Sequence, residues 1–275
     1  CFGQCRGHWR AATAFRTHAP AAATARVRAD EAVALLERVV RAWESRYGPD
    51  RGGGYLFPYD PVVWDMLLSG RSNGSRPLYS VPFYTLHKLM AGLLDLWMHA
   101  ASEHALGLVK AVASWVRRRV DETLTAGGEE RWQRVLLTEW GGMNDVLYHL
   151  YEATGDERHL ATGRLFNAYI FTAPLAASHD DLATQPFPHA NFHLPEIVGN
   201  ARAAELTANA TDAAIVDTFF SALASNHSYA TGGSSSGECW QAPRDLGRFL
   251  TTQTEESCTQ YNVLKVARRR FLRKA

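Results

Sequence analysis

The chain is poor in cysteine, in long apolar runs and in net charge. Four cysteines in 275 residues, Cys1, Cys5, Cys239 and Cys258, do not make a disulfide framework. No stretch of about 18 apolar residues occurs, and Asp95 interrupts the best candidate, LMAGLLDLWM, so no membrane-spanning helix is expected. The 29 basic and 28 acidic residues leave a formal net charge of +1, which argues against a nucleic-acid or polyanion binder. Arg268-Arg269-Arg270, with Arg273 and Lys274, is the one basic cluster and reads as a solvated helix face. The chain begins at Cys1 without the n-region or h-region of a signal peptide, so a processed chain or a fragment is expected. Sustained two-residue alternation is scarce, which disfavours a large sheet. G-x-S-x-G, the P-loop, the dinucleotide fingerprint and H-E-x-x-H are all missing.

What the chain has is apolar bulk and helical periodicity. Eight Trp, ten Tyr and twelve Phe can fill a sizeable core, and the length suits one large domain or two small ones. Leu86, Leu89, Met90, Leu93, Leu94 and Trp97 fall on one helix face. Ala32, Leu35, Leu36, Val39, Val40 and Trp43 repeat the pattern, as do Met143, Val146, Leu147, Leu150 and Tyr151. Further helices are expected near 8–18, 104–120, 157–171, 196–207, 211–225 and 256–272.

Three turns share one spacing. In YEATGDERHL, Gly155 reads as a left-handed cap and Asp156 as the next N-cap. WMHAASEHAL and ELTANATDAA stand about 54 residues before and after it, each with a short turn in the same place. Stacked helical hairpins follow, in an all-α toroid with a cleft formed by the loops at one end. A simple α-solenoid is the alternative. The loops hold the unusual residues: the glycine run at 52–54, the segment 181–195 with His189 and His193, and the segment 227–243.

Several residues invite a chemical reading beside a plainer one. Glu238 follows a run of Gly and Ser and is a candidate general acid/base, or an exposed loop glutamate. Glu256 and Cys258 form a hard-plus-soft donor pair that zinc accepts, at what also reads as a helix N-terminus. His87 can meet a sugar hydroxyl or sit half-buried. His189 and His193 can pair on a metal or a substrate, and the surrounding prolines place them off a regular helix. Asn144 and Asp145 read as ordinary helix-start residues. Sequons at Asn73, Asn209 and Asn226 are compatible with a secreted or endomembrane location without establishing it.

Taken together, the segments RGHW (6–9), VPFYTLHKLMAGLLDLW (81–97), EWGGMNDVLYHLYEATGD (139–156), HANFHLPEIVGNARAAELT (189–207), HSYATGGSSSGECW (227–240) and EESCTQYNVLKVARRRF (255–271) resemble glycoside hydrolase family 127, the β-L-arabinofuranosidases. The resemblance implies an (α/α)6-barrel-like toroid over residues 1–275 and a retaining glycosidase acting on an arabinofuranoside-type carbohydrate. It maps the acid/base onto Glu238, two zinc ligands onto Glu256 and Cys258, and furanose contacts onto His87 and His193. Leu194-Pro195 favours His193 over His189. In the family, two adjacent downstream cysteines complete the zinc site, and one is the nucleophile. Zinc would hold that thiol as thiolate, the form that attacks an anomeric carbon.

This sequence departs from the pattern in two places. Cys239 stands where relatives more often carry an aromatic residue, and no Cys-Cys pair occurs anywhere. The expectation is therefore an incomplete barrel with a partial zinc site, little hydrolysis, and self-association through exposed barrel ends. A non-catalytic sugar-binding α/α domain, or another sugar-active α/α enzyme such as an epimerase or lyase, are the alternatives.

Overall fold

The computed structural model describes residues 19–70, 81–137 and 141–274. The helix expected at 8–18, the RGHW segment, Cys1, Cys5, the Asn73 sequon and Glu139-Trp140 lie outside the described residues. Every regular element among the described residues is a helix. Those of seven residues or more are, in chain order, α1 (Ala19–Tyr47), α2 (Val62–Leu68), α3 (Pro82–Ala100), α4 (Glu103–Val135), α5 (Met143–Thr154), α6 (Glu157–Arg164), α7 (Tyr169–Ala176), α8 (Ala190–Thr207), α9 (Ala210–Ala222) and α10 (Ser257–Lys274). The fold class is all-α, built of helical hairpins as expected.

The three turns were legible because their chemistry is local. At each, one residue takes a left-handed conformation and the next residue caps the following helix. Ala101 (φ 55°), Gly155 (φ 71°) and Ala208 (φ 54°) hold the left-handed positions. Ser102 Oγ then accepts the Ala105 N–H, Asp156 accepts the Arg158 N–H, and Asn209 accepts the N–H groups of both Thr211 and Asp212.

The chain divides into two compact units, and α3 and α4 contribute to both. The first gathers Cys1–Pro58 and Met90–Trp115. In it α1 buries Ala29, Val33 and Val40, a stripe offset from the expected one, so that Leu35 is 55% exposed. Trp43 donates its indole N–H to the Phe57 carbonyl at 3.0 Å, and Trp115 donates to Arg51 at 3.1 Å. Tyr55 packs between the two indoles, with ring centroids 5.7 and 4.9 Å away.

The second unit holds Tyr59–Leu89 and Val116–Ala275. Trp64, Phe83, Trp132 and Phe166 form a buried edge-to-face cluster. Phe166 explains why the helix expected over 157–171 is two helices: the chain turns at 165–168 to drive that ring inward. The Ala168 N–H then donates to Glu196 Oε1 at 2.7 Å, a carboxylate with no exposed surface.

At the centre of this unit lies α8, with every residue from Ala190 to Ala204 buried. It packs on α5, α9 and α10. Gly199 permits the closest approach, because a Cβ there would stand 2.2 Å from the Asn144 side chain. The helix begins at Ala190, so His193 and Pro195 are helical. Here the structure corrects the off-helix reading. An interior proline removes one backbone hydrogen bond, at a cost of about 3 kcal/mol in an exposed helix. Burial of the whole first half of α8 outweighs it, and Pro195 also packs against Gly141.

Two further readings are revised. Asn144 and Asp145 do more than start α5: Asn144 donates to the Glu196 carbonyl at 3.0 Å, and Asp145 pairs with Arg202 at 2.6 Å. The Arg202 guanidinium, opposed by burial, holds the Asp145 carboxyl down to about 2. The basic cluster is not simply solvated. Arg269 pairs with Glu205, and Arg270 and Arg273 both pair with Asp217, fastening α10 to its neighbours. Tyr261, Leu264, Phe271 and Leu272 remain exposed along α10.

Candidate active site

The site begins with a turn. Ser236 and Cys239 exchange backbone hydrogen bonds of 3.0 and 3.2 Å around Gly237 and Glu238. Both central residues have positive φ, 55° and 66°, as a type I′ hairpin turn requires. Glycine adopts that conformation freely; glutamate does so at a steric cost. The turn is clamped on both sides. Ala190 and Trp240 donate to Glu238 and Pro188 at 2.8 Å on one side. Gly237 and Glu255 donate to Gln253 and Ser235 at 3.1 Å on the other. A short ladder thus ties the start of α8, the Glu238 turn and the segment entering α10, three pieces distant in sequence.

An open cleft of about 540 Å³ lies along this ladder, lined by Gly237, Glu238, Gln253, Thr254, Glu255 and Glu256. The Glu238 side chain is 61% exposed, and its Oε2 lies 3.3 Å from His189 Nε2. Glu255 (φ 63°) is turned back to hydrogen-bond with Thr231. Glu256 Oε2 is buried with no N–H or O–H partner among the described residues. Cys258 is half-buried beside it. Burial first, then the hydrogen bond and charge of Glu256, push the Cys258 thiol up to about 11.

A buried carboxylate oxygen beside a thiol is a donor pair of the kind zinc accepts. Among the described residues no third His, Cys, Asp or Glu joins them in a metal-binding group. A structural zinc takes four ligands, of which Glu256 and Cys258 would supply two.

A family model for the GH127 catalytic domain of β-L-arabinofuranosidases matches residues 1–275. The chain belongs to that family. Among solved structures, the GH127 β-arabinofuranosidase BT3674 superposes on this GH127 domain with a TM-score of 0.55 at 17% identity. The match covers 88% of this chain, which spans 38% of the length of that one. At that identity the likeness shows the fold alone. Comparison with curated proteins returned no match.

The three candidate histidines of the GH127 domain sit differently. His189, at the N-cap position of α8, is the one beside Glu238, and Phe187 stacks on it. His193 is 2% exposed, stacks on Phe171 with centroids 4.1 Å apart, and accepts the Trp240 indole N–H at 3.1 Å. It lines a second cavity of about 270 Å³ with Phe171, Phe187 and Phe192. His87, on α3, packs against Gly142, where a Cβ would stand 2.4 Å from the ring, and its buried Nδ1 has no partner among the described residues. Burial foremost lowers both His87 and His193 to about 3. Neither lines the cleft that holds Glu238 and Glu256.

One group of residues carried no signal beyond a histidine preceding a Gly/Ser loop. α9 ends in a π-turn, Leu223–His227, that delivers His227 to a buried position. Its Nδ1 meets the Gln241 carbonyl at 3.0 Å, and its Nε2 meets both Asp180 oxygens at 3.1 Å. Asn226 donates to the same carboxylate at 2.7 Å and accepts from Arg244. Gln241 in turn donates to the Ser236 and Cys239 carbonyls. The clamp closes the base of the loop that ends in the Glu238 turn.

Proposed function

We propose that this GH127 domain bears the acid/base of a retaining glycoside hydrolase acting on β-L-arabinofuranosides. The observation that carries the reading is Glu238, a glutamate held at positive φ, fastened on both sides by backbone hydrogen bonds and opening on a cleft. Strained, over-determined positions of this kind concentrate at functional sites. As an acid, Glu238 would give its proton to the departing glycosidic oxygen; as a carboxylate, it would then take a proton from the water that releases the sugar. A hydrogen bond from His189 to Oε2 would fix the carboxyl rotamer and leave Oε1 for the substrate.

His87 and His193 are the proposed sugar-contacting histidines. Because His193 Nδ1 accepts the Trp240 indole N–H, the neutral ring would carry its hydrogen on Nε2 and could donate it to a sugar hydroxyl. Glu256 and Cys258 would hold zinc, which when bound keeps a coordinated thiol deprotonated. The retaining scheme also needs a nucleophile. The family resemblance puts it on a Cys-Cys pair, and these 275 residues contain none. The chain by itself is therefore expected to hydrolyse slowly.

His87 and His193 lie outside the cleft that holds Glu238, and this favours one second reading, a sugar-binding α/α domain without catalysis. The two are separated by incubating the chain with methyl β-L-arabinofuranoside, with and without zinc, and following binding by saturation-transfer NMR and released arabinose by chromatography. The hydrolase reading expects slow release that Glu238→Gln lowers by about 10²-fold or more. Binding with no release above the E238Q background leaves only the second reading. For zinc, a chromophoric chelator competition should show weaker binding in both E256Q and C258S, and equal affinity in all three proteins would remove these ligands.

A further inference from the structure

We propose that Asn209 is the position at which this domain accepts an N-linked oligosaccharide, and that the sequon at Asn226 is a structural clamp instead. Both positions satisfy the same three-residue rule, Asn209-Ala210-Thr211 and Asn226-His227-Ser228. The structure separates them by what each amide nitrogen is doing.

At Asn226 every component is engaged. Nδ2 donates to Asp180 Oδ2 at 2.7 Å, and Oδ1 accepts from Arg244 at 3.0 Å. His227 is 1% exposed and is held by Asp180 and Gln241. Ser228 Oγ donates to the Leu223 carbonyl at 2.9 Å. Replacing an Nδ2 hydrogen with a sugar would crowd the Asp180 contact and the buried histidine behind it. A chain glycosylated there before folding could not close the clamp.

At Asn209 the amide is divided in the useful way. Residues 208–211 are all exposed. The capping bonds, from Thr211 N and Asp212 N at 2.8 and 3.1 Å, both run to Oδ1. Glycosylation changes only Nδ2. The carbonyl oxygen stays, so the N-cap of α9 stays with it. Transfer breaks the C1–O bond of a polyprenyl-diphosphate-linked oligosaccharide and forms C1–Nδ2. The amide proton leaves to base, and the lipid diphosphate departs. The sequon threonine is exposed too, as recognition by the transferase requires.

Position supports the assignment. α8 starts beside Glu238, whose carbonyl accepts the Ala190 N–H, and ends at the Asn209 turn. Eighteen residues at 1.5 Å each put about 27 Å between the two ends. A glycan at Asn209 would project from the end of α8 remote from the cleft, whereas one at Asn226 would sit at the base of the Glu238 loop.

The test is expression of the N73Q chain behind a secretory leader in a glycosylating eukaryotic host, with glycopeptide mass spectrometry on the folded, soluble protein pooled from cells and medium. The expected result is glycan on the Asn209 peptide, removed by peptide:N-glycosidase, with occupancy at Asn226 at least tenfold lower. Thr211→Val should abolish the Asn209 glycan while keeping the backbone cap, so its deglycosylated melting midpoint should match that of the parent. An unmodified Asn209, or occupancy at Asn226 equal to or above that at Asn209, overturns the proposal.

Discussion

Glu238 and His189 are joined twice. The His189 imidazole lies 3.3 Å from the Glu238 carboxylate, and the next residue, Ala190, donates its backbone N–H to the Glu238 carbonyl at 2.8 Å. That N–H is one of the four that a helix start leaves without an intrahelical partner. The glutamate backbone thus caps the helix whose N-cap histidine faces the glutamate side chain. Backbone and side chain are positioned by the same buried helix, which the rest of the second unit surrounds.

The left-handed turn sets stability against function at Glu238. Glu238→Gly relieves the positive φ and should raise unfolding stability by about 0.5–1 kcal/mol, while removing the proposed proton donor. Urea denaturation of wild type, E238G and E238Q would check this. A glycine variant less stable than wild type would show that the side chain, rather than the backbone, dominates there.

Removing His227 should loosen the whole loop. His227→Ala leaves the Asp180 carboxylate and the Gln241 carbonyl without their shared partner, a loss on the order of 2–3 kcal/mol. Limited proteolysis should then cut first within 228–244. An unaltered melting midpoint and digestion pattern would mean that the clamp contributes nothing.

The hairpin turns offer a stabilising pair. Ala101 and Ala208 occupy the conformation that Gly155 occupies at the corresponding turn. Ala101→Gly and Ala208→Gly should each add about 0.5–1 kcal/mol, and Gly155→Ala should subtract a similar amount, read by chemical denaturation.

Acid should destabilise the domain through its buried histidines. His87 and His193 are lowered from 6.5 to about 3, so between those values the unfolded chain binds more protons than the folded one. Stability is therefore full above about pH 6.5 and falls as pH drops toward 3. The slope is about 1.4 kcal/mol per pH unit for each histidine. Urea titrations at pH 6.5, 5.5 and 4.5 should show it, and His193→Gln should remove about half. A flat profile would place both imidazoles in contact with water.

Much of this was legible in the residues alone, because the signals were local. Periodicity placed α3 and α5, and Gly155-Asp156 announced a hairpin turn through the backbone freedom of one residue and the carboxylate of the next. The Gly/Ser run before Glu238 marked a turn, and the family segments named the fold. Other features needed the assembled chain. Whether Leu35 or Val33 faced inward on α1 depended on what packed there. Proline suggested a break at 195, and burial of α8 overruled it. Phe166 ended a helix early because an aromatic cluster had a place for its ring.

The sequence by itself determined the helices, their turns and the residue types available for acid/base and metal chemistry. Only the tertiary structure decided which of them meet. His189 reaches Glu238 across about 49 positions, and Asp180 reaches His227 across 47. Such contacts form because each hairpin must bury an apolar face, and that burial fixes where the loops between hairpins are carried. Hydrophobic burial depends on area and not on direction. A sequence can therefore declare that a face will be covered long before it reveals which loop the covering brings alongside.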